Sequence, residues 1–203
     1  MVEIRDLHKA FGKVPVLTGL DLELTRGSRV ALLGRSGAGK TTLLRLIAGL
    51  DLPDRGEIFL QGECASRPGW ARPPHQRGLG FLFQASALWP HMTVAQNIRF
   101  GLGGTGDVKE VLEQTRMTHL QDRYPHELSG GEERRAALAR TLAPKPSLLL
   151  LDEPLTHADP ETRQELLQVI LGCPATLIYI CHDQDEAHSV APRLLHLREG
   201  VLS

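Results

Sequence analysis

The stretch GRSGAGKT (34–41) stands between VALLG (30–34), apolar on both faces like a central parallel strand, and TTLLRLIAGL (41–50), whose apolar residues recur at helical spacing. It matches G-x-x-x-x-G-K-[ST], and the strand before it and helix after it are the context that gives the pattern meaning. Gly34, Gly37 and Gly39 let the backbone wrap tightly, so that the N–H groups of Arg35, Ser36, Ala38 and their neighbours, with the helix N-terminus, converge on one anion. Lys40 supplies a point charge for β- and γ-phosphates, Thr41 a hydroxyl for Mg²⁺, and Thr42 a hydrogen bond to an α-phosphate oxygen. A glycine-rich turn with a surface lysine would have no need of that strand and helix.

Upstream, Val2 and Ile4, then Leu20, Leu22 and Leu24, alternate with polar residues, as in half-buried antiparallel strands. Arg26-Gly27-Ser28 turns the chain, and Gly49 ends the helix after the phosphate loop. Another antiparallel strand is expected within LPDRGEIFLQGE (52–63), and SRPGWARPPHQR (66–77) reads as a loop. GLGFLF (78–83), SLLLLDEP (147–154) and TLIYICHD (176–183) read as further buried strands. Between Thr93 and Leu142 the pattern is helical, interrupted by GLGGTGD (101–107). Capping boxes are expected at Thr93 with Gln96 and at Ser129 with Glu132, and Asp159-Pro160 opens another helix. The fold class expected is α/β, a mainly parallel sheet with an N-terminal antiparallel β-subdomain and an inserted helical subdomain at about 85–143, in one domain over 1–203.

Composition narrows the function. With 203 residues and 41% hydrophobic content the chain sustains a core without staples. Its 23 Lys+Arg against 24 Asp+Glu leave a net charge of −1, without the electrostatic footprint of a dedicated nucleic-acid binder. The longest apolar run, Val169–Ala175, is far short of the roughly 20 residues a spanning helix needs. MVEIRDLHKAF carries no apolar export signal, so a cytosolic setting is expected. Cys64, Cys173 and Cys181 form no CxxC pair, and read as small buried apolar residues.

Leu148–Leu151 deliver Asp152 and Glu153 to a strand end, the edge of an open α/β sheet where ligands bind. Asp152 suits the Mg²⁺ that Thr41 also holds, and Glu153 suits orientation or deprotonation of a water attacking the γ-phosphorus. Such an acid pair is common at strand ends, and the phosphate loop gives it a purpose. Phosphate loops also serve GTPases, kinases and motors, but LSGGE (128–132) adds two consecutive glycines for which an ordinary helix start has no use. Gly130 and Gly131 leave the helix N-terminus bare as a second anion site.

In this order of motifs the chain resembles, along essentially its whole length, the nucleotide-binding subunits of ATP-binding cassette (ABC) transporters. The resemblance implies an ABC-type P-loop NTPase fold and Mg²⁺-dependent ATP hydrolysis. It implies a head-to-tail dimer in which Ser129, Gly130, Gly131 and Glu132 close in trans over ATP held by the other copy's phosphate loop. Gln84 matches the glutamine that contacts Mg²⁺ and the attacking water, His182 the histidine that touches the γ-phosphate, Asp159 the aspartate along the dimer interface, and Phe11 the aromatic that stacks on adenine. The implied partners are a second nucleotide-binding subunit, two transmembrane permease subunits and an extracytoplasmic solute-binding protein, with no nucleic acid. The implied location is peripheral, on the cytoplasmic face of the membrane.

The segments LFQASALWPHMTVAQNIRFGL (82–102) and DRYPHELSGGE (122–132) look like those of importers for inorganic ions, polyamines or thiamine. Leu88, Trp89, Pro90 and Met92 are expected to offer apolar docking surface to a permease, although Trp and Met often pack internally. Export, lipoprotein release, or a soluble cassette acting on ribosomes or DNA stay open as alternatives. The chain departs from the family in three places. Phe11 replaces a commoner Tyr; Glu132 replaces Gln; and Thr156-His157-Ala158-Asp159 replaces S-A-L-D, placing at His157 an imidazole that titrates near neutral pH. No C-terminal regulatory domain is expected after LREGVLS (197–203).

Overall fold

The computed structural model describes residues 1–104, 106–156 and 158–203. The chain divides into two compact units: Met1–Leu79 with Ser147–Asp152 and Ala175–Ser203, and Gly80–Pro146 with Glu153–Pro174. In chain order the elements are β1 (Val2–Phe11), β2 (Val14–Leu24), β3 (Arg29–Leu33), α1 (Lys40–Ala48), β4 (Arg55–Leu60), β5 (Glu63–Arg67), β6 (Trp70–Ala71), β7 (Leu79–Leu82), α2 (Val94–Gly101), α3 (Val108–Gln114) and α4 (Gly130–Leu142). They continue as β8 (Leu148–Asp152), α5 (Pro160–Gly172), β9 (Thr176–Ile180), α6 (Gln184–Val190), β10 (Arg193–Arg198) and β11 (Val201–Leu202).

The first unit holds two sheets. One is antiparallel, in the order β2-β1-β4-β5-β6. Val2 faces Leu24 and Ile4 faces Leu22, so the period-two pattern in the sequence becomes one buried face. In the other, β10, β3, β9 and β8 run parallel, with Ala31 opposite Leu194 on one side and Tyr179 on the other, and β11 adds an antiparallel edge. Every residue of β8 and β9 is buried, as expected of strands covered on both faces. Helix α1 buries Leu43, Leu44, Leu46, Ile47 and Ala48 and ends at Gly49, with the Leu50 N–H donating to Arg45 O at 2.9 Å.

Residues 66–77 are not the loop expected from their prolines: Arg67 pairs with Trp70 and Ser66 with Ala71 in a short hairpin. The reason is Arg77, 3% exposed, whose guanidinium donates to Ala65 O (2.7 Å), Ser66 Oγ (2.8 Å), Arg72 O (2.8 Å) and, at the C-terminus of α1, Ile47 O (2.8 Å). A cation belongs at that negative helix end, and burial pulls its pKa down to about 10. Helix α6 and its cap by Asp183, not anticipated from the sequence, follow β9.

The second unit is mainly helical and takes in α5 as well as the segment expected around 85–143. Its core joins Val94 and Ile98 of α2, Val111 and Leu112 of α3, Met117, and Ala136 and Ala139 of α4. Both expected capping boxes form, at Thr93 and Ser129, and Asp159 caps α5 by accepting from the Glu161 and Thr162 N–H groups.

Candidate functional site

The expected residues divide between the two units. In the first, Gly39 begins α1 at φ 101° with no side-chain cap, so the helix presents bare N–H groups. A Cβ there would lie 2.7 Å from Val16 Cγ1 and 3.1 Å from Val16 O, too close for any side chain. Lys40 is buried, and its Nζ folds back to donate to Gly34 O (2.8 Å) and Arg35 O (3.1 Å). Arg35, Ser36, Gly37 and Thr41 are exposed, while Ala38 and Thr42 are half-buried. Fixed N–H dipoles, a bare helix end and a preplaced ammonium make an anion site suited to a polyphosphate.

Asp152 ends β8 at 2% exposure. A Mg²⁺ ion takes hard oxygen ligands, which the Thr41 hydroxyl and Asp152 carboxylate provide. Two protein oxygen donors suit an ion of this kind, which keeps phosphate and water oxygens among its ligands. His182, exposed, follows β9 and lines an open hollow of about 430 Å³ with Gly34, Arg35, Gln184, His196 and Arg198. Beside it the buried Cys181 thiol is pushed up to about 12, chiefly by burial, which leaves it inert. Cys64 and Cys173 are only partly buried, unlike the expectation.

Phe11 lies at the β1 end, 53% exposed, with Lys9 Nζ 5.5 Å from its ring centre. Asp54, unnoticed in the sequence, holds this end by accepting from the Ala10 N–H (2.7 Å) and Lys9 Nζ (3.1 Å). The Ala10 hydrogen bond is the main reason its carboxyl sits below the usual range.

In the second unit, Gln84 Nε2 donates to Glu153 Oε2 at 3.2 Å. Glu153 adopts φ 50°, a left-handed conformation uncommon outside glycine. The sequence reading passed over Arg134, which is buried and donates to Phe83 O (2.6 Å), Gln84 O (2.8 Å), Glu153 O (2.8 Å) and Pro154 O (2.9 Å). A sequence signal existed: a cation near a helix N-terminus opposes the macrodipole, which points to a use for its charge elsewhere.

The start of α4 differs from the bare end expected. Glu132 Oε2 accepts from Ser129 N–H (2.7 Å) and Ser129 Oγ (2.8 Å), while Ser129 Oγ accepts from the Glu132 N–H (3.3 Å). Only Gly130 faces open space; a Cβ at Gly131 would lie 2.7 Å from Thr162 Oγ1 of α5. Asp159 is exposed, and its hydrogen bonds with Thr162 hold its pKa below the usual range. The expectation at His157 lies outside the described residues.

Of the docking residues, Leu88 is half-buried and packs against the helical core. Trp89 is 43% exposed and meets Phe100, 58% exposed, edge to face at 5.6 Å between ring centres. Pro90 is exposed and Met92 half-buried. The fully buried Asn97, also missed, braces this segment: its Oδ1 accepts from Trp89 N–H (2.9 Å), and its Nδ2 donates to Trp89 O (3.2 Å), Met92 O (3.1 Å) and Thr93 O (3.1 Å). A larger hollow of about 500 Å³ in this unit, lined by Val111, Leu142, Val169 and Cys173 among others, contains none of the expected residues.

Known proteins resemble this chain along its whole length. The Fe(3+) ions import ATP-binding protein FbpC of Mesorhizobium japonicum is 44% identical across 100% of this chain and 59% of its own length. The sulfate/thiosulfate import ATP-binding protein CysA of Thermosynechococcus vestitus is 43% identical across 98% of this chain and 62% of its own. The chain thus spans about three fifths of the length of these relatives. A dimeric structure of the ATP-binding cassette MJ0796, in a post-hydrolysis state bound to ADP and Pi, superposes with a TM-score of 0.89 at 26% identity, covering 100% of this chain and 97% of that one. Residues 17–156 match the family described as ABC transporter, and on this match, with the fold and with relatives aligned along the whole of this chain, the chain belongs to that family.

Proposed function

We propose that the chain is the ATP-hydrolysing subunit of an importer for an inorganic ion, working as a dimer around two Mg-ATP and engaging two permease subunits, with an extracytoplasmic binding protein as donor of the solute. The observation that carries the ATPase reading is the bare N-terminus of α1 beside the Lys40 ammonium folded onto Gly34 O and Arg35 O. Its import direction and ion class rest on relatives named for Fe(3+) and for sulfate or thiosulfate import.

In this proposal the first unit binds the nucleotide: Phe11 stacks on adenine, the amides from Gly34 to Gly39 with Lys40 hold the β- and γ-phosphates, and Thr42 takes an α-phosphate oxygen. Thr41 and Asp152 would hold Mg²⁺, which when bound would supply neutralisation of phosphate charge, and the resemblance adds Gln84 as a further donor to the ion. The Glu153 carboxylate accepts the proton of a water whose oxygen attacks the γ-phosphorus. The γ-phosphorus bond to the bridging oxygen breaks, and ADP leaves with its electron pair while inorganic phosphate forms. Gln84 orients the Glu153 carboxylate through the 3.2 Å hydrogen bond, and His182 holds the γ-phosphate. Ser129, Gly130, Gly131 and Glu132 approach the ATP of the second copy, and Asp159 runs along that interface.

The test is Mg-ATP hydrolysis by the purified chain, together with detergent-solubilised affinity purification from its native cells. ADP formation and recovery of a multi-span permease with a secreted binding protein are expected. Recovery of ribosomal or DNA-associated proteins instead would overturn the transport assignment, and absence of ADP formation would overturn the ATPase.

A further inference from the structure

Arg134 does something that capping and packing of α4 do not require. Its planar guanidinium reaches away from its own helix to two chain segments far apart in sequence, Phe83–Gln84 and Glu153–Pro154, and binds two backbone carbonyls of each. Those segments carry the two side chains that meet at 3.2 Å, Gln84 and Glu153. The Glu153 backbone is left-handed, a conformation that persists in a non-glycine residue only when its surroundings over-determine it. Arg134 contributes to that determination by fixing the Glu153 and Pro154 carbonyls, the two that follow the bend.

We propose that Arg134 is a positioning residue for hydrolysis: by clamping the carbonyls of Phe83, Gln84, Glu153 and Pro154 it sets the place and angle of the Gln84–Glu153 pair. Only a guanidinium has rigid, divergent donors enough for four acceptors; an ammonium is a point donor on a flexible stem, and an amide has two donors. Arg134 touches neither water nor phosphate in this role. Its effect falls on the hydrolytic step rather than on nucleotide affinity, because the residues assigned to adenine and phosphates belong to the other unit.

This inference rests on the ATPase reading above, and the experiment separates the two. Arg134→Lys and Arg134→Gln are compared with the parent chain for kcat, KM for ATP and amide hydrogen exchange. In Arg134→Gln, kcat is expected to fall about 100-fold with KM for ATP changed by no more than about twofold, Arg134→Lys retaining more of the rate. Amides of residues 84–87 and 155–156 lose protection, while those from Ala136 to Leu142 in α4 keep theirs. A kcat in Arg134→Gln within about twofold of the parent overturns the inference alone. So does a rise of KM in step with the loss of rate, or failure of both variants to fold, each of which marks a structural role. A parent chain that forms no ADP overturns the ATPase reading and this inference with it.

Discussion

Glu132 puts a carboxylate on the helix end that its motif reserves for an anion, and the two uses compete. The Ser129 N–H, and after it the Ser129 hydroxyl, hold Glu132 below the usual carboxylate range. A folded pKa lowered in this way contributes stability that is full above the unfolded value, about 4.3, and is lost as pH falls through the folded value. Glu132→Gln keeps an acceptor for the Ser129 N–H but removes that charge. It is expected to lower stability at pH 7 by about 0.5–1 kcal/mol and to match the parent near pH 3, measured by urea unfolding at both pH values. An equal difference at the two pH values would show that the charge contributes nothing. The neighbouring glycines separate in the same way. Gly131→Ala drives a methyl into Thr162 and is expected to cost about 1–3 kcal/mol, recovered when Thr162→Ala is added; Gly130→Ala meets open space and leaves the thermal midpoint unchanged or raised. Both glycines are plain in the sequence, but only the packing of α5 tells them apart.

At the scale of elements, helix ends were legible where a local rule governs them: Thr93, Ser129 and Asp159 cap where their spacing says, since a capping box closes within four residues. The hairpin at 66–77 was not legible, because its pairing depends on Arg77 reaching the carbonyls of α1 from thirty residues away. Asn97 shows the same limit inside α2. It reads as a polar residue on a helix, yet it is buried and ties Trp89, Met92 and Thr93 to that helix. Asn97 thereby holds the Trp89 backbone, and Trp89 is the aromatic proposed for docking. Trp89→Ala is expected to remove membrane recruitment, and Asn97→Ala to weaken recruitment with a stability loss of about 2–3 kcal/mol, read by co-purification with the permease and by thermal unfolding. Full recruitment of Trp89→Ala would assign the aromatic pair to packing alone.

For the whole molecule, the proposed sandwich makes association depend on nucleotide. Glu153→Gln is expected to bind Mg-ATP, to lose turnover by at least about 100-fold, and to run as a dimer in size-exclusion chromatography with ATP but as a monomer without it. A monomer at saturating Mg-ATP would contradict the trans arrangement of Ser129 and Gly130. The sequence by itself determined the α/β class, the phosphate loop, the acid pair at the end of β8 and the capped start of α4. The last three are each written within a dozen neighbouring residues, where backbone spacing and hydrogen-bond reach leave little choice, and the class follows from the alternation of strand and helix patterns along the chain. Only the tertiary structure decided that Arg134 holds Gln84 and Glu153, that Gly131 is set by Thr162, and that Leu88 packs against the helical core while Trp89 stays exposed. Arg134 finds its acceptors twenty residues away on one side and fifty-one on the other, and contacts at that separation exist only once the chain has folded.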